Sequence, residues 1–184
     1  YSNSSYAYAK RMLDIQSKAY REQYNRNYIC IIPCNIYGKY DNFSPELGHV
    51  IPSLIYKFFE SEKNNSKSVV VWGDGTPRRE FLYSEDLADA CVFLMELSDN
   101  KFFFNDKINN SHLNVGVGKD ISIKELVTLI SSFFNSNKEI IFDTKMPNGT
   151  PQKLLNIDKL KKLGWSPKTS LKEGLKITIQ FFKN

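Results

Sequence analysis

Tyr28 to Ile32 form an almost unbroken apolar run, Tyr-Ile-Cys-Ile-Ile, that stops at Pro33. An apolar run of this length without alternation reads as a strand covered on both faces, and such strands belong to parallel sheets flanked by helices. The residues before it fit that demand. An amphipathic helix runs to about Tyr24, with Met12, Ile15 and Ala19 spaced to face a core. The residues after it, Cys34-Asn35-Ile36-Tyr37-Gly38, are then the loop at the strand's carboxyl end, where open α/β sheets bind ligands.

The rest of the chain keeps alternating strands with helices, which predicts an α/β architecture. Residues 39–48 read as an irregular loop. Pro52 suits the first turn of a helix whose apolar face is Leu54, Ile55, Phe58 and Phe59, followed by a polar loop over 61–68. Residues 68–72 are a strand, Gly73-Asp74-Gly75 a tight turn, and 78–83 a returning strand. Ser84 is expected to cap a helix bearing Leu87, Ala90, Cys91, Leu94 and Leu97. A loop at 102–110 leads to a short strand from His112 to Gly116. Ser122-x-x-Glu125 and Ser170-x-x-Glu173 are two capping boxes, the first opening a helix through about Phe134 and the second the last helix. Between them lie a strand at 139–142, a loop at 146–151 and a short helix at 158–163 stopped by Gly164.

Tyr6 and Lys10 are four residues apart, so on the first helix they share one face, one turn apart, while Tyr8 points elsewhere. An ammonium near a phenol favours the phenolate and lowers its pKa, and such a Tyr can pass a proton to or from an alcohol or carbonyl oxygen. Lys can also donate to the hydroxyls of a ribose. By itself the spacing also fits an exposed helical pair. Its value comes from the buried strand and the ligand loop to which the helix leads.

Tyr6-x-x-x-Lys10 with Ile32-Pro33-Cys34-Asn35-Ile36-Tyr37-Gly38 resembles the extended short-chain dehydrogenase/reductase family. Asp41-Asn42-Phe43, His49-Val50-Ile51-Pro52, the stretch from Val71 to Leu82 and Gly149-Thr150-Pro151-Gln152-Lys153-Leu154-Leu155 resemble its GDP-L-fucose synthase branch, in order and at compatible spacing along essentially the whole chain. The resemblance implies NADPH-dependent conversion of GDP-4-keto-6-deoxy-D-mannose to GDP-L-fucose, by 3,5-epimerisation and 4-keto reduction. It implies catalytic roles for Tyr6 as general acid, for Lys10, and for His49 as an acid/base beside a C4 ketone that acidifies C3–H and C5–H. On residues alone, His49 also fits a cap or packing residue at a helix start, where the dipole would lower its pKa. The resemblance further implies that Lys10, Pro33, Cys34, Asn35, Ile36 and His49 contact NADP, and that Lys57, Trp72, Arg79, Asn148 and Lys153 contact the GDP-sugar. Cations suit a diphosphate, although Trp72 also fits a core position and Lys57 and Lys153 a solvated surface. Three positions depart from the pattern: Cys34 stands near where Thr or Ser is usual, Lys57 where Arg is frequent, and Asn148 where an acid is common. Arg78 is expected to point away from Arg79 along the strand.

A Gly-x-x-Gly-x-x-Gly after a strand, which a dinucleotide pyrophosphate needs, is not found in the sequence. The chain also opens on Tyr1, already inside the helix that carries Tyr6 and Lys10. The expectation is therefore the C-terminal part of a Rossmann-type NAD(P)-binding fold plus a smaller α/β substrate-binding domain. Residues 1–48 would end the Rossmann domain, and residues 49–184 would mainly bind the nucleotide-sugar, with segments around 80–118 returning to the Rossmann domain. The family's catalytic Ser and Cys would lie in the N-terminal Rossmann segment, supplied by the full-length enzyme or another chain. Homodimerisation through the Tyr6 helix is implied in the same way.

At 184 residues the chain can bury one sizeable core, and its formal charge of +5 is spread rather than gathered in a tail, which does not point to nucleic acid. Cys30, Cys34 and Cys91 do not make a disulfide framework, and with His49 and His112 as the two histidines no metal spacing is present. There is no apolar run long enough for a membrane span, so a cytoplasmic location is expected. Two other readings stay open. One is another nucleotide-sugar enzyme of the superfamily, a 4-epimerase or 4,6-dehydratase. The other is a non-catalytic fragment that binds a GDP-sugar.

Overall fold

The computed structural model of the protein describes residues 3–102, 112–134 and 137–184. Its elements, in chain order, begin with α1 (Ser4–Tyr24), β1 (Cys30–Pro33), β2 (Asn35–Tyr37), α2 (Val50–Lys63) and β3 (Ser68–Trp72). They continue with β4 (Arg78–Arg79), β5 (Phe81–Tyr83), α3 (Ser84–Glu96), α4 (Asp99–Phe102) and β6 (His112–Val115). The last are β7 (Ile121–Ser122), α5 (Ile123–Ser131), β8 (Glu139–Asp143), β9 (Gln152–Lys153), α6 (Asp158–Leu163) and α7 (Leu171–Lys183).

Three parallel ladders carry the fold: β1 with β6, β2 with β5, and β3 with β8. A fourth small sheet has the order β7-β4-β9, with β4 antiparallel to β7 and parallel to β9. Parallel partners require crossovers, and helices supply them, as the alternating sequence predicted.

The apolar side chains gather in two clusters. One contains Tyr37, Ile51, Leu54, Ile55, Phe58, Val69, Val71, Leu126, Ile130 and Leu175, between α2, α5 and α7 and the β3 ladder. The other contains Ala90, Leu94, Leu113, Val115, Leu160 and Trp165, between α3, α6 and the β6 ladder. Strand β5 belongs to both. Phe81 and Tyr83 enter the first cluster and Leu82 enters the second, as period-two alternation dictates.

Several expectations need correction. The 28–32 run becomes a parallel strand only from Cys30, and it is not covered on both faces: Tyr28, before the strand, is 51% exposed and Ile32 40%. Ile32 faces a cavity of about 780 Å³ between α1 and β1, whereas Tyr28 has its ring beside Tyr20. Met12, Ile15 and Ala19 do not face a core, and α1 buries none of its residues. Its side toward β1 carries Tyr6, Lys10, Leu13 and Asp14, half a turn away from that stripe. The 78–83 strand is broken at Glu80 into β4 and β5, which pair with different partners. Tyr83, not Ser84, is the N-cap of α3, with no side-chain cap bond. Ser122 and Glu125 make the full reciprocal box, whereas at Ser170 the box is reduced to its hydroxyl accepting from Glu173 N. Helix α2 runs through Lys63, shortening the polar loop, and α5 stops at Ser131. The 102–110 loop lies outside the described residues save for Phe102, which ends α4.

Candidate active site

Helix α1 and the β1–β2 junction enclose the larger cavity. Tyr6 and Lys10 line it from the helix, and Pro33, Cys34, Asn35 and Ile36 from the strand ends. Lys10 Nζ lies over the Tyr6 ring, 5.5 Å from its centroid, so the two share a face as their spacing predicted. The floor adds Cys30, Asp14 and His112, whose Nδ1 is 3.4 Å from Asp14 Oδ2. Burial, and secondly the Glu80 charge, push the Cys34 thiol up to about 12, which favours the neutral thiol.

A second cavity of about 370 Å³ opens between the β2 loop, α2 and the β3–β4 turn. Lys57, Trp72, Arg79 and Asn148 all line it. Lys57 reaches across from α2, donates to Val70 O at 3.1 Å and sits over the Trp72 ring at 5.4 Å. Burial holds its pKa below the ordinary lysine value. Trp72 is 54% exposed, so it is not a core residue. Lys153 lines neither cavity, but it stands in register with Arg79 on the neighbouring strand. Arg78 points away, as alternation required, to Asp120 and Glu125.

His49 is the N-cap of α2, with extended backbone and no side-chain cap bond, which leaves the imidazole directed to the cavities. Asn35, Ile36 and His49 line both, so the two spaces share one wall.

Two structural roles were not visible in the sequence. Glu80 is a buried carboxylate that accepts from Val117 N and Gly118 N at 2.6 Å each and from Leu155 N at 3.0 Å. Its own carbonyl accepts from Asn35 Nδ2 at 2.7 Å, which orients the amide on the shared wall. Asn148 Oδ1 accepts from Asp74 N at 2.8 Å, and its amide also bonds the Asp74 carboxylate. It therefore ties the turn after β3 to the 146–151 loop. Gly73 has φ +80°, and a Cβ there would run into Asn148 Oδ1, so both backbone and space select glycine.

Among the described residues no group of three His, Cys, Asp or Glu side chains could hold a metal ion. No described helix is long and apolar enough to cross a membrane.

Parallel ladders with helical crossovers and a ligand loop at the strand ends place the chain in a Rossmann-like α/β class. It belongs to the NAD dependent epimerase/dehydratase family, which it matches over residues 1–116. It is 42% identical to the GDP-L-fucose synthase of Escherichia coli (strain K12) over 181 residues, covering 98% of this chain and 56% of that protein. Among solved structures it resembles a GDP-6-OMe-4-keto-L-xylo-heptose reductase from C. jejuni, with TM-score 0.88 and 32% identity over 100% of this chain and 61% of that one. A GDP-L-fucose synthetase from Naegleria fowleri bound to NADP aligns with TM-score 0.87 and 31% identity, over 100% of this chain and 56% of that one. The chain thus spans little more than half the length of these proteins.

Proposed function

We propose that the intact protein converts GDP-4-keto-6-deoxy-D-mannose to GDP-L-fucose with NADPH, and that this chain carries the C-terminal part of its site. The observation that carries the reading is the shared wall. Asn35, Ile36 and His49 line a cavity holding the Tyr6/Lys10 pair and also one holding Lys57, Trp72 and Arg79. A sugar at that wall would reach the proton donor on one side while its nucleotide lay along the cations on the other.

The strand-end residues Pro33, Cys34, Asn35 and Ile36, with Lys10 beside them, fit the nicotinamide and ribose end of a dinucleotide: backbone groups for the carboxamide, an ammonium for ribose hydroxyls. The bound cofactor would supply hydride to the sugar's C4. Tyr6 would give its phenolic proton to the C4 oxygen as negative charge develops there, a contribution of about 10²–10⁴-fold. Lys10 would stabilise the phenolate that remains. His49 would move protons at C3 or C5 from the α2 terminus. Arg79, Lys57 and Lys153 would meet the diphosphate, and Trp72 would offer an apolar face. Asn148, engaged at Asp74, would serve by holding the turn that frames the pocket.

In this reading residues 1–48 end the NADP-binding domain and residues 49–184 mainly bind the nucleotide-sugar, with segments around 80–118 returning to the first domain. An N-terminal Rossmann segment completes the cofactor site. The outward apolar stripe of α1, with Tyr8, Met12 and Ile15 at least half exposed, supports a homodimer through that helix. The location is cytoplasmic.

The test is calorimetric titration of the intact protein with GDP-fucose against a UDP-sugar, followed by NADPH oxidation with the keto-sugar. Selective GDP-sugar binding and net NADPH consumption are expected, both the consumption and product formation being lost in Tyr6→Phe. A 4-epimerase or 4,6-dehydratase would recycle its cofactor and show no net consumption, and a binding module would show binding alone.

A further inference from the structure

We propose that Asp120 is a positioning residue that fixes the register of β9 against β4 and so sets Arg79 and Lys153 side by side as a two-cation clamp for a nucleoside diphosphate. The proposal rests on the nucleotide-sugar reading of the site. Both strands are two residues long, so their ladder bonds alone specify register weakly. Asp120, just before β7, supplies what they lack. Its Oδ1 accepts from Arg78 Nε at 2.9 Å, its Oδ2 from Gln152 Nε2 at 2.5 Å, and its carbonyl from Arg78 Nη2 at 3.3 Å. Glu125 adds a looser contact to Arg78 at 3.5 Å.

Arg78 and Gln152 are register partners, and one carboxylate therefore staples the two strands on a single face. Alternation puts the next pair, Arg79 and Lys153, together on the opposite face. Arg79 lines the cavity, and its Nη1 donates to Arg78 O at 2.7 Å, which steadies the guanidinium from behind. A slip of one residue in β9 would turn Lys153 to the wrong face and break the pair.

The test compares GDP and GMP binding to the intact protein by calorimetry, in the wild type, Asp120→Ala, Gln152→Leu, Lys153→Met and the two double variants with Lys153→Met. Gln152 is exposed, so Gln152→Leu cuts the staple with little risk to folding. The wild type is expected to prefer GDP over GMP. Asp120→Ala and Gln152→Leu should each weaken GDP by about tenfold, on the scale of a lost charge-assisted contact, with little change for GMP. In the Lys153→Met background the same substitutions should cost much less, because the clamp is already open. Equal losses in both backgrounds, or equal losses for GDP and GMP, would overturn the positioning role while leaving the substrate reading intact. A wild type that does not prefer GDP would overturn the substrate reading and the clamp with it.

Discussion

Glu80 holds together three backbone segments that are far apart in sequence. Truncation to Ala leaves the amides of Val117, Gly118 and Leu155 without their acceptor. The expected loss is about 2–4 kcal/mol, because orphaned donors cost more than the bond they made was worth. Glu80→Gln should cost less, since one amide oxygen can still accept from Val117 and Gly118. Urea unfolding of the pair checks the order. Lys57 gives a pH signature. Burial lowers its pKa, so between that value and the ordinary 10.5 the unfolded chain binds more protons than the folded one. Stability contributed by this group therefore rises with pH across that window, and the cost of the half-buried charge is fully present below it. Lys57→Met should remove that alkaline rise and leave the protein at least as stable at pH 7. Thermal melts from pH 7 to 11 read this directly.

Helix α5 is secured by both halves of its box. Ser122 Oγ accepts from Glu125 N at 3.1 Å, and Glu125 Oε2 accepts from Ser122 N at 2.8 Å and from its hydroxyl at 2.7 Å. Helix α7 has the one bond from Glu173 N to Ser170 Oγ at 3.2 Å. Ser122→Ala should therefore cost more than Ser170→Ala, about 1–2 against about 0.5–1 kcal/mol, measured by denaturant midpoints at constant slope. Both helix starts were legible in the sequence because capping is local chemistry within four residues. So were α6, whose Gly164 stop has φ +101°, and β3 and β8 as separate strands, but not their parallel pairing: the glycine turn after β3 read as leading straight back, whereas the 78–83 stretch pairs with β2, β7 and β9. The two-residue strands β7 and β9 were not, since two residues carry no period, and β4 was legible only as the start of one longer 78–83 strand. The stripe of Met12, Ile15 and Ala19 was correctly spaced, yet its orientation was wrong. Periodicity tells which residues share a face, not what that face meets. The pocket residues were placed by motif resemblance, while Glu80 and Asp120 escaped notice because their partners are far away in sequence: the loops after β6 and β9 for Glu80, and β4 and β9 for Asp120.

Strand β5 decides whether the molecule behaves as one unit. Its side chains alternate between the two apolar clusters, with Phe81 and Tyr83 in one and Leu82 in the other. A strand three residues long cannot shift on one face and keep its register on the other. Loss of packing in the first cluster should therefore reach the second. Phe81→Ala removes a ring that meets Tyr37 edge-on at 6.5 Å and should cost about 3–5 kcal/mol. Trp165 is buried in the other cluster, bonded through Nε1 to Asp89 at 2.8 Å, and makes a native reporter there. In a Trp72→Phe background it is the one remaining tryptophan. If β5 couples the clusters, Phe81→Ala lowers the urea midpoint seen by Trp165 fluorescence and by far-ultraviolet circular dichroism by the same amount. An unmoved fluorescence midpoint with a shifted dichroism midpoint would mean that the clusters unfold separately, and that β5 joins the two halves of the site without making them one cooperative body.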